Sequence, residues 1–208
     1  STSTLTGLVA IMGVILRVFS KNQTHRHVGD ILMGFAVLMF GMSMMSGAVG
    51  ALGEQEWFTR ALTGMKMPLL GILVGLVITA VIQSSNASVG ILQALSATGS
   101  VTYATAFPII IGQNLGKCMT TILGGIGGNK KSKRLVLSYI LFNLLVAIFF
   151  TALVYAIYYT VGIKSFDNAI NRGGIANIHF LFNFLTSVIL LPFSQKLSKL
   201  TGIIIGDD

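Results

Sequence analysis

Charge is the scarcest commodity in this chain. Only 10% of its 208 residues are Asp, Glu, Lys or Arg, against about 25% in a soluble domain. Acids are rarest, six against 14 Lys and Arg, and none falls inside the long interrupted apolar segments 68–97 and 102–126. A single cysteine, Cys118, rules out a disulfide framework, and its neighbours suit no metal site. The N-terminus lacks the basic, apolar and cleavage regions of a signal peptide. It begins at Ser1 without a methionine, which reads as a piece of a longer chain or a processed end. What the sequence has in abundance is hydrophobicity, 53% of residues with a mean hydropathy of +0.82. The expected class is an all-α integral membrane protein. The net charge of +8 sits in short loops between apolar runs, a distribution that fits anionic headgroups and not nucleic acid.

Domain organisation follows the apolar runs. Residues 1–28 hold a first span, Leu5–Phe19, and a basic loop from Lys21 to His27. That span is short of the roughly 20 residues a crossing needs, but the polar residues before it can extend its helix. Residues 29–67 hold a full-length span, Gly29–Leu52, whose small residues allow close helix contact. A mixed-charge stretch, Glu54–Lys66, follows and reads as an interfacial helix anchored by Trp57 and Phe58. Residues 68–100 carry two apolar arms, Pro68–Ile82 and Ala87–Ala97, around a polar tip. The first arm reaches about 22 Å at 1.5 Å per residue, past a bilayer midplane without crossing. Residues 101–128 read as helix, break, helix. Pro108 removes a backbone donor, and Gly112 and Gly116 flank Gln113-Asn114. Residues 129–208 add two spans, Leu135–Val161 and Ile175–Phe193, and a tail.

Loop charges choose between a crossing and a re-entrant hairpin at 68–100. With a hairpin, Arg17/Lys21/Arg26, Lys130/Lys131/Lys133/Arg134 and Lys196/Lys199 share one side, nine basic residues against four. With a crossing the split becomes five against eight. Cytoplasmic loops carry the Lys/Arg excess, so the expected architecture is about five transmembrane helices plus a re-entrant helical hairpin. The expected location is a cell (inner) membrane, crossed several times.

Two polar clusters lie inside these apolar segments. The first is Gln83-Ser84-Ser85-Asn86-Ala87-Ser88, and the second is Gly112-Gln113-Asn114-Leu115-Gly116 with Thr120-Thr121. Clustered amides and hydroxyls are tolerated at membrane depth only where protein or a water-filled cavity satisfies them. Paired interruptions of this kind point to a transporter's substrate site. Helix N-termini, hydroxyls and amides supply donors for an anion, and the same neutral oxygens are hard ligands for sodium. Ser43, Ser46, Ser138 and Thr151 read as ordinary intramembrane hydrogen bonds. Asn143 reads as a helix–helix bond or a residue bordering the pathway. Asn177, His179 and Asn183 are either an interhelical network or part of the path, with His179 and Asn183 on one face. Lys117 is either a lysine facing an aqueous vestibule or a charge-balancing cation of the site, since a lysine at this depth must be paired or hydrated. Enzymatic chemistry is not expected, because Ser84 and Ser85 have no His or Asp in their segment to act as base.

Gln83-Ser84-Ser85 with Ala87–Leu95, Gly112–Gly116 with Thr120-Thr121, and Asn177-x-His179-x-x-x-Asn183 resemble the type II sodium–phosphate cotransporter family in order and spacing. The resemblance covers almost the whole chain but only one of that family's two inverted repeats, the second. It implies sodium-coupled import of inorganic phosphate, with paired hairpin tips forming a midplane site and this chain supplying one half. Gln83, Ser84, Ser85, Asn86, Ser88, Gln113, Asn114, Thr120 and Thr121 would line it. Gln83, Ser84, Ser85, Asn114 and Thr120 would serve sodium, and no cofactor beyond that coupling ion is implied. The other repeat would come from the same longer chain, another subunit or a homodimer mate, the last disfavoured by the charge bias. The neutral oxygens leave another oxyanion or a carboxylate open as cargo, and a non-transporting subunit or sensor remains an alternative. Asn86 stands where that family has a third serine, and Lys117 where a small hydroxyl residue is usual.

Overall fold

The computed structural model describes residues 2–53, 55–57, 60 and 67–206. Among the described residues the chain is helical, and its one β feature is an isolated bridge between Thr102 and Ala169. It divides into two compact units, Ser1–Leu52 and Gly53–Asp208.

The first unit is a pair of helices, α1 (Thr2–Phe19) and α2 (Gln23–Gly53). Asn22 caps the second by accepting from the Thr24 N–H at 2.9 Å. The helices touch backbone to backbone. A Cβ placed on Gly29 would lie 2.7 Å from the Gly13 carbonyl oxygen and 2.8 Å from the Arg17 nitrogen, so only glycine permits this approach. Asp30, the residue after Gly29, pairs with Arg17 at 3.1 Å.

The second unit is built around α5 (Tyr103–Gly116), which is buried on every side from Ala104 to Asn114. A helix apolar all round belongs in the middle of a bundle. The preceding helices, α3 (Pro68–Ile82) and α4 (Ser85–Ser96), are joined by Gln83 and Ser84 alone. Gln83 turns the chain with φ 58°, in the left-handed region. A Cβ on Gly112 would collide with the Ile72 carbonyl oxygen, and one on Gly116 would lie 2.6 Å from that of Leu76. Both contacts step four residues along each helix, so α3 and α5 run parallel with their backbones in contact. Gly75 completes the seam against Ile109. α4 runs back along α5, with Ser88 beside Gln113 at one end and the chain re-entering α5 at Thr102 at the other. The two arms therefore form a helical hairpin.

On the other side of α5, Phe107 and Ile111 pack with Val146, Ala147 and Phe150 of α7 (Lys130–Thr160) and with Phe182 of α8 (Arg172–Leu190). A one-turn 3₁₀ segment, Leu191–Phe193, carries α8 into α9 (Ser194–Ile205). This rod runs antiparallel along α7. Phe150 meets Phe182 with ring centroids 5.1 Å apart, and Ser138 meets Thr201 at 2.9 Å. Lys130–Arg134 and Lys196/Lys199 consequently lie at the same end of the unit, as the loop charges require. At the opposite end the 161–171 connection bonds to the start of α5, with the Ala104 N–H donating to the Phe166 carbonyl at 2.8 Å.

Several boundaries differ from the sequence reading. The basic stretches are helical: His25–His27 belong to α2, Lys130–Arg134 form the first turns of α7, and Lys196 and Lys199 lie in α9. Lysine and arginine are good helix formers, so a charge cluster does not end a helix as glycine or proline does. Pro108 leaves α5 unbroken. Among the described residues three helical stretches are long and apolar enough to cross a membrane, Gln23–Ala48, Lys130–Thr160 and Arg172–Ile205. Of the other expected spans α1 is shorter, and the fourth is divided between α5 and α6 (Cys118–Gly125). The interfacial helix expected at Glu54–Lys66 lies largely outside the described residues.

Candidate functional site

The turn of the α3–α4 hairpin and the end of α5 come together because α3 and α5 are parallel. Gln113 is about 15 Å from the start of α5 at 1.5 Å per residue, and α5 with α6 spans roughly 34 Å. The polar residues thus gather near mid-length of the bundle. Ser84 caps α4, its Oγ accepting from the Ala87 N–H at 3.2 Å, while the Ser88 N–H donates to the Ser84 carbonyl. This leaves the first N–H groups of α4 pointing out of the tip beside Ser85, which is half-buried. Gln83 and Asn86 are exposed at the tip.

Behind the tip the polar groups are buried and tied together. Thr79 donates to Ser88 Oγ at 2.8 Å, and Gln113 Nε2 donates to the Ser88 carbonyl at 3.0 Å. Gln113 Oε1 is buried with no hydrogen-bond partner, a bare carbonyl oxygen at the centre of the cluster. The break after α5 falls on Lys117 alone, one turn later than the Gln113-Asn114 position expected from the flanking glycines. Gly112 and Gly116 serve contact with α3 instead of flexibility, and Gln113 and Asn114 are ordinary helical residues.

Lys117 is where α5 and α8 meet in polar contact. Its Nζ donates to Asn114 Oδ1 at 2.7 Å and to Asn183 Oδ1 at 3.2 Å. Each amide is held by its own helix, Asn114 Nδ2 on the Ile110 carbonyl at 3.0 Å and Asn183 Nδ2 on that of His179 at 2.7 Å. Thr120 closes the break by donating to the Lys117 carbonyl at 2.8 Å. Among the described residues no carboxylate pairs with Lys117, and no cluster of His, Cys, Asp and Glu could hold a metal.

The structure thus ties Ser84, Ser88 and Gln113 into one set of contacts and Asn114, Lys117, Thr120 and Asn183 into another, the two following each other along the last turn of α5, with Ser85 half-buried at the hairpin tip. Thr121 is half-buried on α6 next to Thr120. His179 contributes its backbone carbonyl, and Asn177 is exposed near the start of α8. Asn143 is buried on α7, its amide donating back to the Tyr139 carbonyl at 2.7 Å. Thr79 was missed by the sequence reading, although it stands one helical turn before Gln83. Gln93 was quoted in the motif without a role; its Nε2 donates to the Arg172 carbonyl at 3.2 Å and ties α4 to α8.

The family described as Na+/Pi-cotransporter matches residues 53–185, the part of the chain that holds the hairpin, α5 and most of α8. The chain belongs to that family. Among curated relatives, "Uncharacterized protein YqeW" of Bacillus subtilis is 26% identical over 95% of this chain and 64% of its own length. "Putative inorganic phosphate export protein YjbB" of Escherichia coli is 26% identical over 99% of this chain and 38% of its own length. Human "Sodium-dependent phosphate transport protein 2B" is 29% identical over 45% of this chain and 14% of its length. The chain therefore spans less than two thirds of each. No solved structure matches.

Proposed function

We propose that this chain is one half of a sodium-coupled phosphate carrier, its hairpin tip and the end of α5 forming half of a midplane anion site. The observation that carries the reading is the capped α4 N-terminus with the Ser84 and Ser85 hydroxyls at the hairpin tip, held through Ser88 to Gln113 at the end of α5, one turn before the Lys117 ammonium, for which no carboxylate partner is found among the described residues. Phosphate at neutral pH carries one to two negative charges and needs directed donors to replace its water. Helix N-termini provide them at low reorganisation cost. For sodium, the unpartnered Gln113 Oε1 is the best-placed oxygen, with the Ser84 and Ser85 hydroxyls and Gln83 at the exposed tip. Asn114 is less suited than the sequence suggested, because its carbonyl oxygen already holds Lys117.

The hairpin enters from one face and turns back within the bilayer, with the Lys130–Arg134 end cytoplasmic. The second repeat comes from the remainder of a longer chain or from another subunit and meets Gln83 and Asn86 at the tip. An inward sodium gradient drives phosphate inward. The name of the Escherichia coli relative, an export protein, makes the direction the first thing to measure. The experiment is flux of labelled phosphate in proteoliposomes, with and without a sodium gradient, for this chain and for the full-length protein. Sodium-stimulated flux by the full-length protein alone supports the half-site reading. Absence of phosphate flux in both directions refutes it.

A further inference from the structure

We propose that the Lys117 ammonium is a resident counter-cation of the anion site, doing permanently on this half what a bound sodium ion would do transiently. The inference rests on the phosphate-site reading above and specifies its ion dependence. An ammonium has three N–H donors in a tetrahedral fan. Two of those on Lys117 are spent on the neutral oxygens Asn114 Oδ1 and Asn183 Oδ1, at 2.7 and 3.2 Å. Among the described residues the third has no protein acceptor and the charge has no carboxylate. Removing a cation from bulk water without an anion is costly, so the arrangement is complete only when an anion or water fills the remaining direction. The side chain is half-buried and springs from the one-residue break between α5 and α6, one turn after the buried Gln113.

The two amides are also fixed in advance. Each has its N–H donating to a carbonyl of its own helix, which aims its oxygen at Nζ. Two aimed amide oxygens converging from different helices are what a sodium ion would need as ligands, and the ammonium takes both. Lys117 thereby supplies positive charge next to the phosphate, and it joins α5 to α8 as a shared ion would. The site thus needs no sodium to bind phosphate, and any sodium requirement belongs to the transport step.

The test is equilibrium binding of inorganic phosphate to the full-length protein in nanodiscs, by calorimetry, in sodium chloride and in choline chloride. The wild type keeps its Kd within about threefold when choline replaces sodium. Lys117→Gln weakens binding in choline by about tenfold or more, the loss expected for a charged hydrogen bond, and sodium restores most of it. Lys117→Arg, which keeps the cation, retains binding in choline. The proposal is overturned if wild-type binding vanishes in choline, or if Lys117→Gln matches the wild type in both salts. Should Lys117→Gln fail to fold, the wild-type comparison and Lys117→Arg decide alone. Phosphate binding by the wild type in neither salt refutes the anion-site reading itself, and this inference falls with it.

Discussion

The seam between α3 and α5 makes a sharp prediction. Replacing Gly112 by alanine adds a Cβ at a place where the backbone carbonyl of Ile72 already stands. A flexible side chain could swing aside, but a helical carbonyl cannot without moving its helix. Overpacking of this kind costs about 1–3 kcal/mol, which in a chain of this size lowers the unfolding midpoint by roughly 2–12 °C. Gly124→Ala is the control. It also lies in a helix, but a Cβ there meets nothing within 4 Å, and alanine is favoured over glycine by about 1 kcal/mol in a helix interior. Thermal unfolding of both variants in the same detergent gives opposite signs, Gly112→Ala down and Gly124→Ala level or up. Phosphate binding reports the second consequence, because a displacement of α3 moves Thr79, which bonds the Ser88 that Gln113 also holds. A Gly112→Ala protein as stable as the wild type would refute the backbone contact and, with it, the parallel register that assembles the site.

Other outcomes follow from single contacts. Ser88→Ala removes the acceptor of the buried Thr79 hydroxyl; stability measured by the same melt falls by about 1–3 kcal/mol, whereas Ser88→Ala combined with Thr79→Val recovers part of it. Ser138→Ala and Thr201→Val, made singly and together, give a coupling of about 0.5–1.5 kcal/mol in a double-mutant cycle, since their hydroxyls lie 2.9 Å apart between α7 and α9. In a Cys118→Ser background, cysteines introduced at Ser132 and Ser198 are labelled by an impermeant thiol reagent from the same side of the membrane, and one at Ser165 from the other. Labelling of Ser132 and Ser198 from opposite sides would contradict the antiparallel run of α7 and the α8–α9 rod.

Much of this fold can be read from residues whose roles are local. Apolar runs give α1, α2, α7 and α8 because a helix in an apolar setting must satisfy its own backbone. The Gln83–Ser88 tip is visible because polar side chains interrupt such a run, and serine at a helix start has a capping role that Ser84 fulfils. The pairing of basic ends is legible as well, since Lys130–Arg134 and Lys196/Lys199 have the same sign and antiparallel helices bring them together. Helix ends are less legible there, because lysine does not oppose a helix and the loop charges turn out to be helical.

What could not be read is which of two uses a glycine has. Gly112 and Gly116 bracket a polar pair, and sequence alone makes them look like a hinge. In the structure they lie against Ile72 and Leu76, and the interruption between α5 and α6 falls on Lys117, whose backbone keeps near-helical angles. The distinction depends on a partner helix about 40 positions earlier, which no local pattern encodes. The same holds for Asn183: its spacing from His179 shows a shared face, but only the approach of α8 to the end of α5 shows that its carbonyl oxygen meets an ammonium. A site assembled by glycine-mediated backbone contact places its polar groups with the precision of helix packing, so the residues that set its geometry carry no functional group at all. Those that do carry one can then be few, neutral and short, with Lys117 as the charged exception.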